Sequence, residues 1–381
     1  MIKKGNSMKK ITFLLLHLNY GGLEKQVTTL ANELAKSYDV ELVVLYDLLN
    51  GKSFYKLNDN IKVKFVLKYG PIKAKQLKEM LKKIKIIELF KSLAKDIKLI
   101  FTKYFGVRKI VNNMKTDVLI SSRIEFSRQI KRRDILTISQ EHSYVDTPSY
   151  VKKVKKSFKN IKYLVVMTDK AKENYQKWLN GNNTYTKVIK IPNAINSTNK
   201  KATLDSNQII SVGRLEDVKD FETLILVFSM CLAQNNNLRL EIVGDGSKKE
   251  ELVNLCKSLN ILDYVRFTGK LDSNQVEGEM LKSSLFLLTS KSESFSLVLV
   301  EASSLGIPCI SFDIDVGPRE IIKDGKNGFI IKDRNKELMK KKILEIMNSR
   351  DVRNEIGNNA KINAEKYYIE NVVNEWKKIL K

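Results

Sequence analysis

The sequence has little of what a zinc enzyme or a disulfide-rich protein needs. Its 381 residues include two histidines, His17 and His142, and three cysteines. Cys231, Cys256 and Cys309 are far apart and form no Cys-x-x-Cys pair, so neither a disulfide framework nor a thiolate metal site is indicated. With so few imidazoles, a transition metal would have to be held almost wholly by carboxylates. We therefore discount a zinc enzyme and expect a reducing cytoplasm.

Long apolar runs are also lacking. The first run, Ile11 to Leu16, is far shorter than the ~20 residues that cross a membrane, and no other stretch approaches that length. We predict that this run forms a first β-strand and that the protein is not integral to a membrane.

Acidic residues are scarce in the first half of the chain. Residues 1–198 contain 40 Lys or Arg and 16 Asp or Glu, whereas residues 199–381 contain 28 and 27. A lysine-rich composition explains the net charge of +25 but not its uneven distribution. Positive charge of this kind attracts phosphate head groups, polyphosphates or nucleic acid.

Short apolar runs alternate with helical patterns along both halves of the chain. Continuous apolar strands spaced by helices are typical of a parallel sheet that is covered on both faces. The alternation restarts after the polar loop Pro192 to Asn199. The predicted strands after the first are Val40 to Tyr46, Ile61 to Val66, Val118 to Ser121, Ile135 to Ser139, Tyr163 to Met167, Val188 to Ile191, Gln208 to Val212, Leu238 to Val243, Val265 to Phe267, Leu285 to Leu288 and Cys309 to Phe312.

The pattern predicts an α/β fold with two Rossmann-like, doubly wound parallel-sheet domains facing a central cleft. Residues 8–197 form the predicted N-terminal domain and residues 198–358 the C-terminal domain. A last helix is predicted in 359–381, running from about Asn359 to Leu380. Because ligands of open α/β sheets bind at the carboxyl ends of strands, functional residues should lie just after strands.

Residues 72–115 break the strand alternation. They contain 13 Lys or Arg and 3 Asp or Glu, with apolar residues at helical spacing. This predicts a basic amphipathic helix, in one piece or two. The helix packs its apolar stripe on the domain core, or it attaches to anionic lipid, and the sequence leaves both readings open.

The stretch from Thr289 to Phe312 has the features of an anion site. A strand ends near Thr289, a polar loop carries Glu293, and a helix beginning near Ser296 carries Glu301. The opening amides of that helix, around Ser296 and Leu297, have no intrahelical partner and favour an anion such as a diphosphate. An ionised carboxylate accepts hydrogen bonds from adjacent sugar hydroxyls, which suits the two glutamates to sugar recognition.

A second stretch, Ser211 to Leu224, adds cations after a strand. The strand runs into Gly213, a turn follows, and Asp220 stands where an N-cap would begin the next helix. Arg214 and Lys219 bracket this turn. A guanidinium fork and an ammonium are the pair expected to hold a departing diphosphate without a metal.

Together these stretches resemble the retaining glycosyltransferases of family 4, which have the GT-B fold. The resemblance covers nearly the whole chain and is strongest from Ile209 to Ile331. It implies that the last helix, in 359–381, packs back on the first domain. It implies that Arg214 and Lys219 bind the diphosphate, that Glu293 holds the hydroxyls of the transferred sugar, and that Glu301 holds the ribose. The resemblance also implies that Gly244, Arg266 and Phe267 belong to segments lining the nucleotide side; these join Gly213, Ser294, Phe295, Ser296 and Leu297 in the predicted nucleotide-sugar site.

The first domain carries matching family segments after two of its strands. Gly21 and Gly22 form a loop that, by the resemblance, touches the donor, with Glu24 expected at the acceptor. His142 corresponds to a histidine that approaches the transferred sugar, and it joins Arg214, Lys219 and Glu293 as a predicted catalytic residue. Asp313-Ile314-Asp315 looks like a metal motif but leads into a segment of metal-independent family members, where Arg319 is a further candidate for an acceptor contact.

The predicted activity is retaining transfer of a hexose or N-acetylhexosamine from a UDP-sugar, with no other cofactor. The acceptor is a lipid-linked or anionic polymeric glycan of bacterial surface polysaccharide synthesis. We expect a cytoplasmic protein with peripheral contact to the anionic inner face of the plasma membrane, and no nucleic acid partner. Three alternatives remain open: a teichoic-acid glycosyltransferase, a nucleotide-sugar epimerase of the same architecture, and a basic protein that binds nucleic acid or membrane.

Overall fold

The chain divides into two compact units. A computed structural model describes residues 8–71 and 86–381, except for the side chains of 86–93, 103 and 104. Unit 1 contains the chain up to Met167, Ala171–Ile191 and Val373–Lys381; unit 2 contains Thr168–Lys170 and Pro192–Val372. The division at Pro192 lies at the start of the polar loop Pro192 to Asn199, which contains the predicted boundary after residue 197.

Unit 1 is built on a parallel sheet of seven strands in the order β3-β2-β1-β4-β5-β6-β7. Strand β4 is buried along its whole length and β2 from its second residue on, which explains their nearly continuous apolar sequence. The strands are β1 (Lys10–Leu15), β2 (Asp39–Tyr46), β3 (Lys62–Leu67), β4 (Val118–Ser121), β5 (Leu136–Gln140), β6 (Tyr163–Val166) and β7 (Lys187–Lys190).

Helices connect these strands. Those of the described residues are α1 (Gly22–Leu34), α2 (Ile86–Phe101), α3 (Val107–Asn113), α4 (Ile124–Ser127), α5 (Pro148–Ser157) and α6 (Asp169–Leu179). A π-helical turn, Thr102–Gly106, joins α2 to α3.

The described part of the basic region is helical, whereas residues 72–85 of that prediction lie outside the described residues. Leu99 of α2 and Val107 and Val111 of α3 are buried in the core of unit 1. Another part of the helical surface exposes the apolar side chains of Ile97, Ile100, Phe101 and Phe105 to between 56 and 68%. The helix therefore packs on the core and also presents apolar side chains to solvent.

Unit 2 has a parallel sheet of six strands in the order β10-β9-β8-β11-β12-β13. The strands are β8 (Gln208–Val212), β9 (Arg239–Val243), β10 (Val265–Gly269), β11 (Leu285–Leu288), β12 (Cys309–Phe312) and β13 (Phe329–Ile331). Its helices are α7 (Phe221–Leu232), α8 (Lys249–Ser258), α9 (Ser273–Leu281), α10 (Leu297–Ser304), α11 (Pro318–Ile321), α12 (Lys336–Asn348) and α13 (Arg350–Ala364). The last helix, α14 (Ile369–Leu380), begins in unit 2 and continues into unit 1 from Val373.

The prediction of one final helix from Asn359 to Leu380 is wrong, because the chain leaves the helical path between α13 and α14. There the Ile195 N–H donates to the Tyr367 carbonyl, and the Ile369 N–H donates to the Ile195 carbonyl, both at 2.9 Å. These bonds to a remote segment replace the intrahelical bonds that a continuous helix needs. Beyond the break, Val373–Lys381 belongs to unit 1, where Lys9 Nζ donates to the Leu380 carbonyl at 2.7 Å.

Strand order reverses once in each sheet. The chain adds strands outward from β1 and then returns to place β4 on its other side, and it does the same around β8 with β11. The predicted fold class, two doubly wound parallel sheets, is confirmed. In such sheets the ligand position is the carboxyl end of the two strands that flank the reversal.

No helix of the described residues combines the length and the apolar composition that crossing a membrane requires.

Candidate functional site

An ion pair joins the loops that follow the two strands at the reversal of unit 2. Lys219 ends a 3₁₀ turn (Asp217–Lys219) after β8, and Glu293 lies in the loop after β11. Lys219 Nζ is 2.5 Å from Glu293 Oε1, and Ser290 Oγ donates to the same oxygen at 2.8 Å. Two predicted site residues are thus brought together at the expected edge of the sheet.

Arg214 lies two residues beyond β8, and its side chain is exposed. In the described chain it forms no ion pair within 4.0 Å. An exposed guanidinium at a strand end is available to an anionic ligand.

Arg334 fixes this pair of loops, and the sequence analysis missed it. Its guanidinium donates to the carbonyls of Ser290 and Thr289 at 3.0 and 2.8 Å and to Asp220 Oδ2 at 2.5 Å. Asp220 in turn caps α7 by accepting from Thr223, as predicted. Arg334 comes from beyond β13, so sequence spacing gives no signal that it reaches this loop.

Glycine is required where the loops after β8 and β9 meet. Gly244 has φ of 143°, and a Cβ there would lie 1.8 Å from the Gly213 carbonyl oxygen. The Leu215 N–H donates to the Asp245 carbonyl at 3.0 Å, which holds the two loops together. The stem of Lys219 packs over Gly213, 3.6 Å from a Cβ built there.

The start of α10 has the features of an anion site. Its N-cap, Ser296, is in the left-handed region at φ 75°, and its side chain makes no cap to the first-turn amides. Ser296 Oγ is buried and has no hydrogen-bond partner among the described residues. Phe295 is buried edge-on against Tyr367, so its side chain has a packing role.

Ser294 precedes this start, and Glu301 lies within the helix; both side chains are half-buried.

Two other predicted residues are held by carboxylates. Arg266, on β10, contacts both Glu241 and Glu279 at 2.6 Å. Arg319 forms a fork with Asp313, with contacts of 2.5 and 2.6 Å. Both guanidinium groups are therefore paired within the protein. The side chain of Phe267, another predicted site residue, packs against the core of unit 2.

No group of three or more His, Cys, Asp or Glu side chains is arranged to hold a metal ion in the described ranges, 8–71 and 86–381.

In unit 1, the loop after β1 brings a histidine and a glutamate together. Gly21 and Gly22 lead into α1, and the buried Glu24 carboxylate folds back over Gly21. Glu24 Oε1 is 3.3 Å from His17 Nδ1. Burial lowers the pKa of His17, although the Glu24 charge opposes this effect.

An aromatic cluster lies beside this loop. Tyr20 and Tyr55 both pack edge-on against Phe54, with ring centroids 5.3 and 5.1 Å apart. Tyr20 and Phe54 are exposed, and the Gly21 N–H donates to Tyr55 Oη at 3.4 Å. The sequence analysis did not single out these residues, because Phe54 and Tyr55 follow a different strand.

The loop after β5 holds a buried polar cluster around His142. Burial and then the Arg123 charge lower the pKa of His142 to about 3, so this imidazole is neutral at neutral pH. Its neighbour Glu141 accepts from Tyr150 Oη at 2.9 Å, and burial raises the Glu141 pKa to about 8. His142 Nε2 is buried and unpaired within the described part of the chain.

The comparison with known proteins is consistent with this geometry. Residues 194–363, which include Arg214, Lys219, Glu293 and Glu301, match the family described as "Glycosyl transferases group 1", which is family 4. A glycosyltransferase of Haemophilus influenzae is 28% identical over 98% of this chain and 100% of its own length. The chain is a family 4 glycosyltransferase. Enzymes of this family are retaining hexosyltransferases.

This family 4 glycosyltransferase is also similar to a Campylobacter jejuni enzyme that is named as an α-1,4-N-acetyl-D-galactosaminyltransferase acting on an undecaprenol-diphosphate-linked glycan. The two are 27% identical over 98% of each chain.

Its fold matches that of Staphylococcus aureus TarM, solved as a point mutant with fondaparinux, α-GlcNAc-glycerol and UDP. The TM-score is 0.74 at 17% identity, over 98% of this chain and 99% of TarM. The fold is therefore GT-B, as the resemblance implied.

Proposed function

We propose that this family 4 glycosyltransferase moves a hexose or N-acetylhexosamine from a UDP-sugar to a lipid-linked or polymeric acceptor in bacterial surface polysaccharide synthesis. The observation that carries the proposal is the Lys219–Glu293 pair at the reversal of unit 2, with Arg214 exposed on the same loop as Lys219. The UDP complex of TarM and the lipid-linked acceptor of the Campylobacter relative supply the substrate classes.

Arg214 and Lys219 act on the leaving diphosphate. Negative charge grows on that group as the glycosidic bond breaks, and fixed cations stabilise it without a metal ion. The uncapped first turn of α10 adds amide donors for the same phosphates. Activity should therefore persist in excess EDTA.

Glu293 and Glu301 recognise hydroxyls, the first on the transferred sugar and the second on the ribose. A carboxylate accepts from two adjacent hydroxyls, and Ser290 already orients Glu293 through one of its oxygens. Transfer proceeds by attack on the face that the diphosphate leaves, with that diphosphate accepting the acceptor's proton.

Unit 1 supplies an uncharged imidazole and aromatic rings for contacts with the sugars. The neutral imidazole of His142 suits a sugar hydroxyl better than a phosphate, since it adds no charge. The exposed rings of Tyr20 and Phe54 beside Gly21 offer a surface for the apolar face of an acceptor sugar.

UDP titration and product analysis test the assignment. Arg214→Gln and Lys219→Gln each remove one cation from the diphosphate, so UDP binding should weaken about tenfold and transfer should fall roughly 100-fold or more. The control is Lys257→Gln, on the exposed side of α8. If both variants match the control in UDP affinity and in turnover, the assigned site is wrong.

A teichoic-acid glycosyltransferase is the second candidate. The excess of positive charge in residues 1–198 suits a polyol-phosphate chain, and TarM was solved with α-GlcNAc-glycerol. Product mass spectrometry with a polyol-phosphate polymer and with a lipid-linked glycan as acceptors separates the two candidates.

We also propose a cytoplasmic location with peripheral contact to anionic lipid. The exposed Ile97, Ile100, Phe101 and Phe105 lie on a helical segment that also carries lysines. An apolar surface flanked by cations is the arrangement that binds an anionic bilayer.

A further inference from the structure

Arg123 occupies the ligand position of unit 1. It lies two residues beyond β4, one of the two strands at the reversal of that sheet. Arg214 likewise lies two residues beyond β8 at the reversal of unit 2. Each unit thus places one arginine at the strand end where doubly wound sheets bind their ligands.

The Arg123 guanidinium forms no ion pair within 4.0 Å among the described residues. Its Nε is buried without a hydrogen-bond partner in the described structure. The nearby carboxylates are engaged elsewhere: Glu125 is 2.5 Å from Lys153 Nζ, Glu24 lies against His17, and Glu141 accepts from Tyr150.

Other half-buried or buried arginines of the chain are satisfied internally. Arg334 donates to Asp220 and to two carbonyls, and Arg353 donates to carbonyls at 3.0 and 3.1 Å. A buried donor without a partner is costly, and Arg123 is an exception among the arginines that the structure describes. An unpaired buried donor of this kind indicates a side chain that binds an external ligand.

Electrostatics connect Arg123 to the loops after β1 and β5. After burial, its charge further lowers the pKa of His142, and it also acts to lower the pKa of His17. His142 Nε2 is a second buried atom without a partner in the described residues. A cation and an uncharged imidazole therefore stand at neighbouring strand ends.

We propose that Arg123 is the centre of a second phosphate-binding site, in unit 1, which takes a phosphate of the acceptor. A guanidinium fork matches two oxygens of one phosphate, and the neutral His142 at the neighbouring strand end stays available to a sugar hydroxyl. This inference rests on the proposed function, because the acceptor of that reaction is the ligand that carries the phosphate.

The test uses the full chain with Arg123→Gln, Arg123→Lys and a matched control, Arg128→Gln. Arg128 is an exposed arginine five residues further along. One arm titrates UDP into each protein by calorimetry. The other arm titrates inorganic pyrophosphate into each protein already saturated with UDP.

Arg123→Gln should weaken pyrophosphate binding at least tenfold and leave UDP binding unchanged. Arg123→Lys, which keeps the charge but lacks the fork, should lose less, and Arg128→Gln should match the wild type. A loss of UDP binding of at least tenfold in Arg123→Gln would assign Arg123 to the donor and overturn the proposal. Unchanged binding of both ligands to Arg123→Gln and Arg123→Lys overturns the proposal.

An Arg214→Gln background separates this outcome from failure of the unit 2 assignment. There, pyrophosphate alone should bind at the Arg123 site and lose that binding when Arg123→Gln is added. If Arg123→Gln does not fold, the Arg123→Lys variant decides, because it retains the cation. If the Arg214→Gln substitution alone abolishes pyrophosphate binding, the proposal of a second site is contradicted.

Discussion

Glu141 is a buried carboxyl group in a hydrogen-bonded chain with two tyrosines. Tyr150 Oη lies 2.9 Å from both Glu141 Oε2 and Tyr175 Oη. Burial raises the pKa of Glu141 to about 8, although the bond from Tyr150 and the charges of Lys153 and Arg123 oppose this. The group therefore keeps its proton at a pH where an exposed glutamate has lost it.

This shift makes stability depend on pH. Between about pH 4.5 and 8 the folded protein holds the Glu141 proton and the unfolded chain does not. The free energy of unfolding should therefore fall as pH rises through this window, by at most roughly 1.4 kcal/mol per pH unit from this group. Glu141→Gln, which cannot ionise, should remove this contribution.

Urea unfolding of wild type and Glu141→Gln at pH 5, 6, 7 and 8 checks the sign. The difference in unfolding free energy between the two proteins should shift in favour of the variant as pH rises. A difference that stays constant over this range would show that Glu141 ionises normally.

Individual site residues were predictable where a motif and a strand end coincide. Lys219 and Glu293 each follow an apolar strand, and the structure pairs them. Arg123 and Arg334 were missed, because their importance comes from neighbours on other loops and has no local pattern. The roles of the predicted residues toward substrate stay predictions.

At the scale of elements, the turn at Gly244 allows the loops after β8 and β9 to approach. Alanine there would place a Cβ 1.8 Å from the Gly213 oxygen at a φ of 143°. We expect Gly244→Ala to lower the free energy of unfolding by at least about 2 kcal/mol and to reduce transfer.

Gly278 of α9 is the matched control, because a Cβ there has no heavy atom within 4 Å. Gly278→Ala should gain about 0.5–1 kcal/mol, as expected for a helical position with room for a methyl group. Denaturation midpoints that fall equally for both variants would contradict the crowding at Gly244.

The strands were largely predictable because continuous apolar runs leave few alternatives. Val118–Ser121, Gln208–Val212, Leu285–Leu288 and Cys309–Phe312 have the predicted bounds. The prediction omitted β13, since three residues are too few to show a pattern. It also missed the break between α13 and α14, which depends on backbone bonds to Ile195, more than 170 residues away.

For the molecule as a whole, charge and exposed apolar surface lie in the same half of the sequence. Nearly all the net charge of +25 belongs to residues 1–198. Ile97, Ile100, Phe101 and Phe105 are exposed in that half. The sequence predicts a basic amphipathic helix, but it does not show which apolar residues pack on the core and which are exposed to solvent. The structure distinguishes the two sets.

Liposome sedimentation tests the membrane contact. Phe101→Ser with Phe105→Ser should lower binding to anionic vesicles at least about tenfold by removing apolar area from the bilayer, and should spare turnover on a water-soluble acceptor. The control is Ile362→Ser, since Ile362 is equally exposed but lies on α13 of unit 2. Vesicle binding that the double variant retains in full would exclude this surface.

The Lys219–Glu293 pair bears on how the enzyme selects its donor over abundant cellular anions. Each group already satisfies the other, with contacts at 2.5 Å. An anion that draws Lys219 away leaves Glu293 without one of its hydrogen-bond donors. Inorganic phosphate has no sugar ring whose hydroxyls could take the place of that donor. A sugar nucleotide supplies both the phosphate for the ammonium and the hydroxyls for the carboxylate. The Lys219–Glu293 pair therefore favours the sugar nucleotide over simple anions.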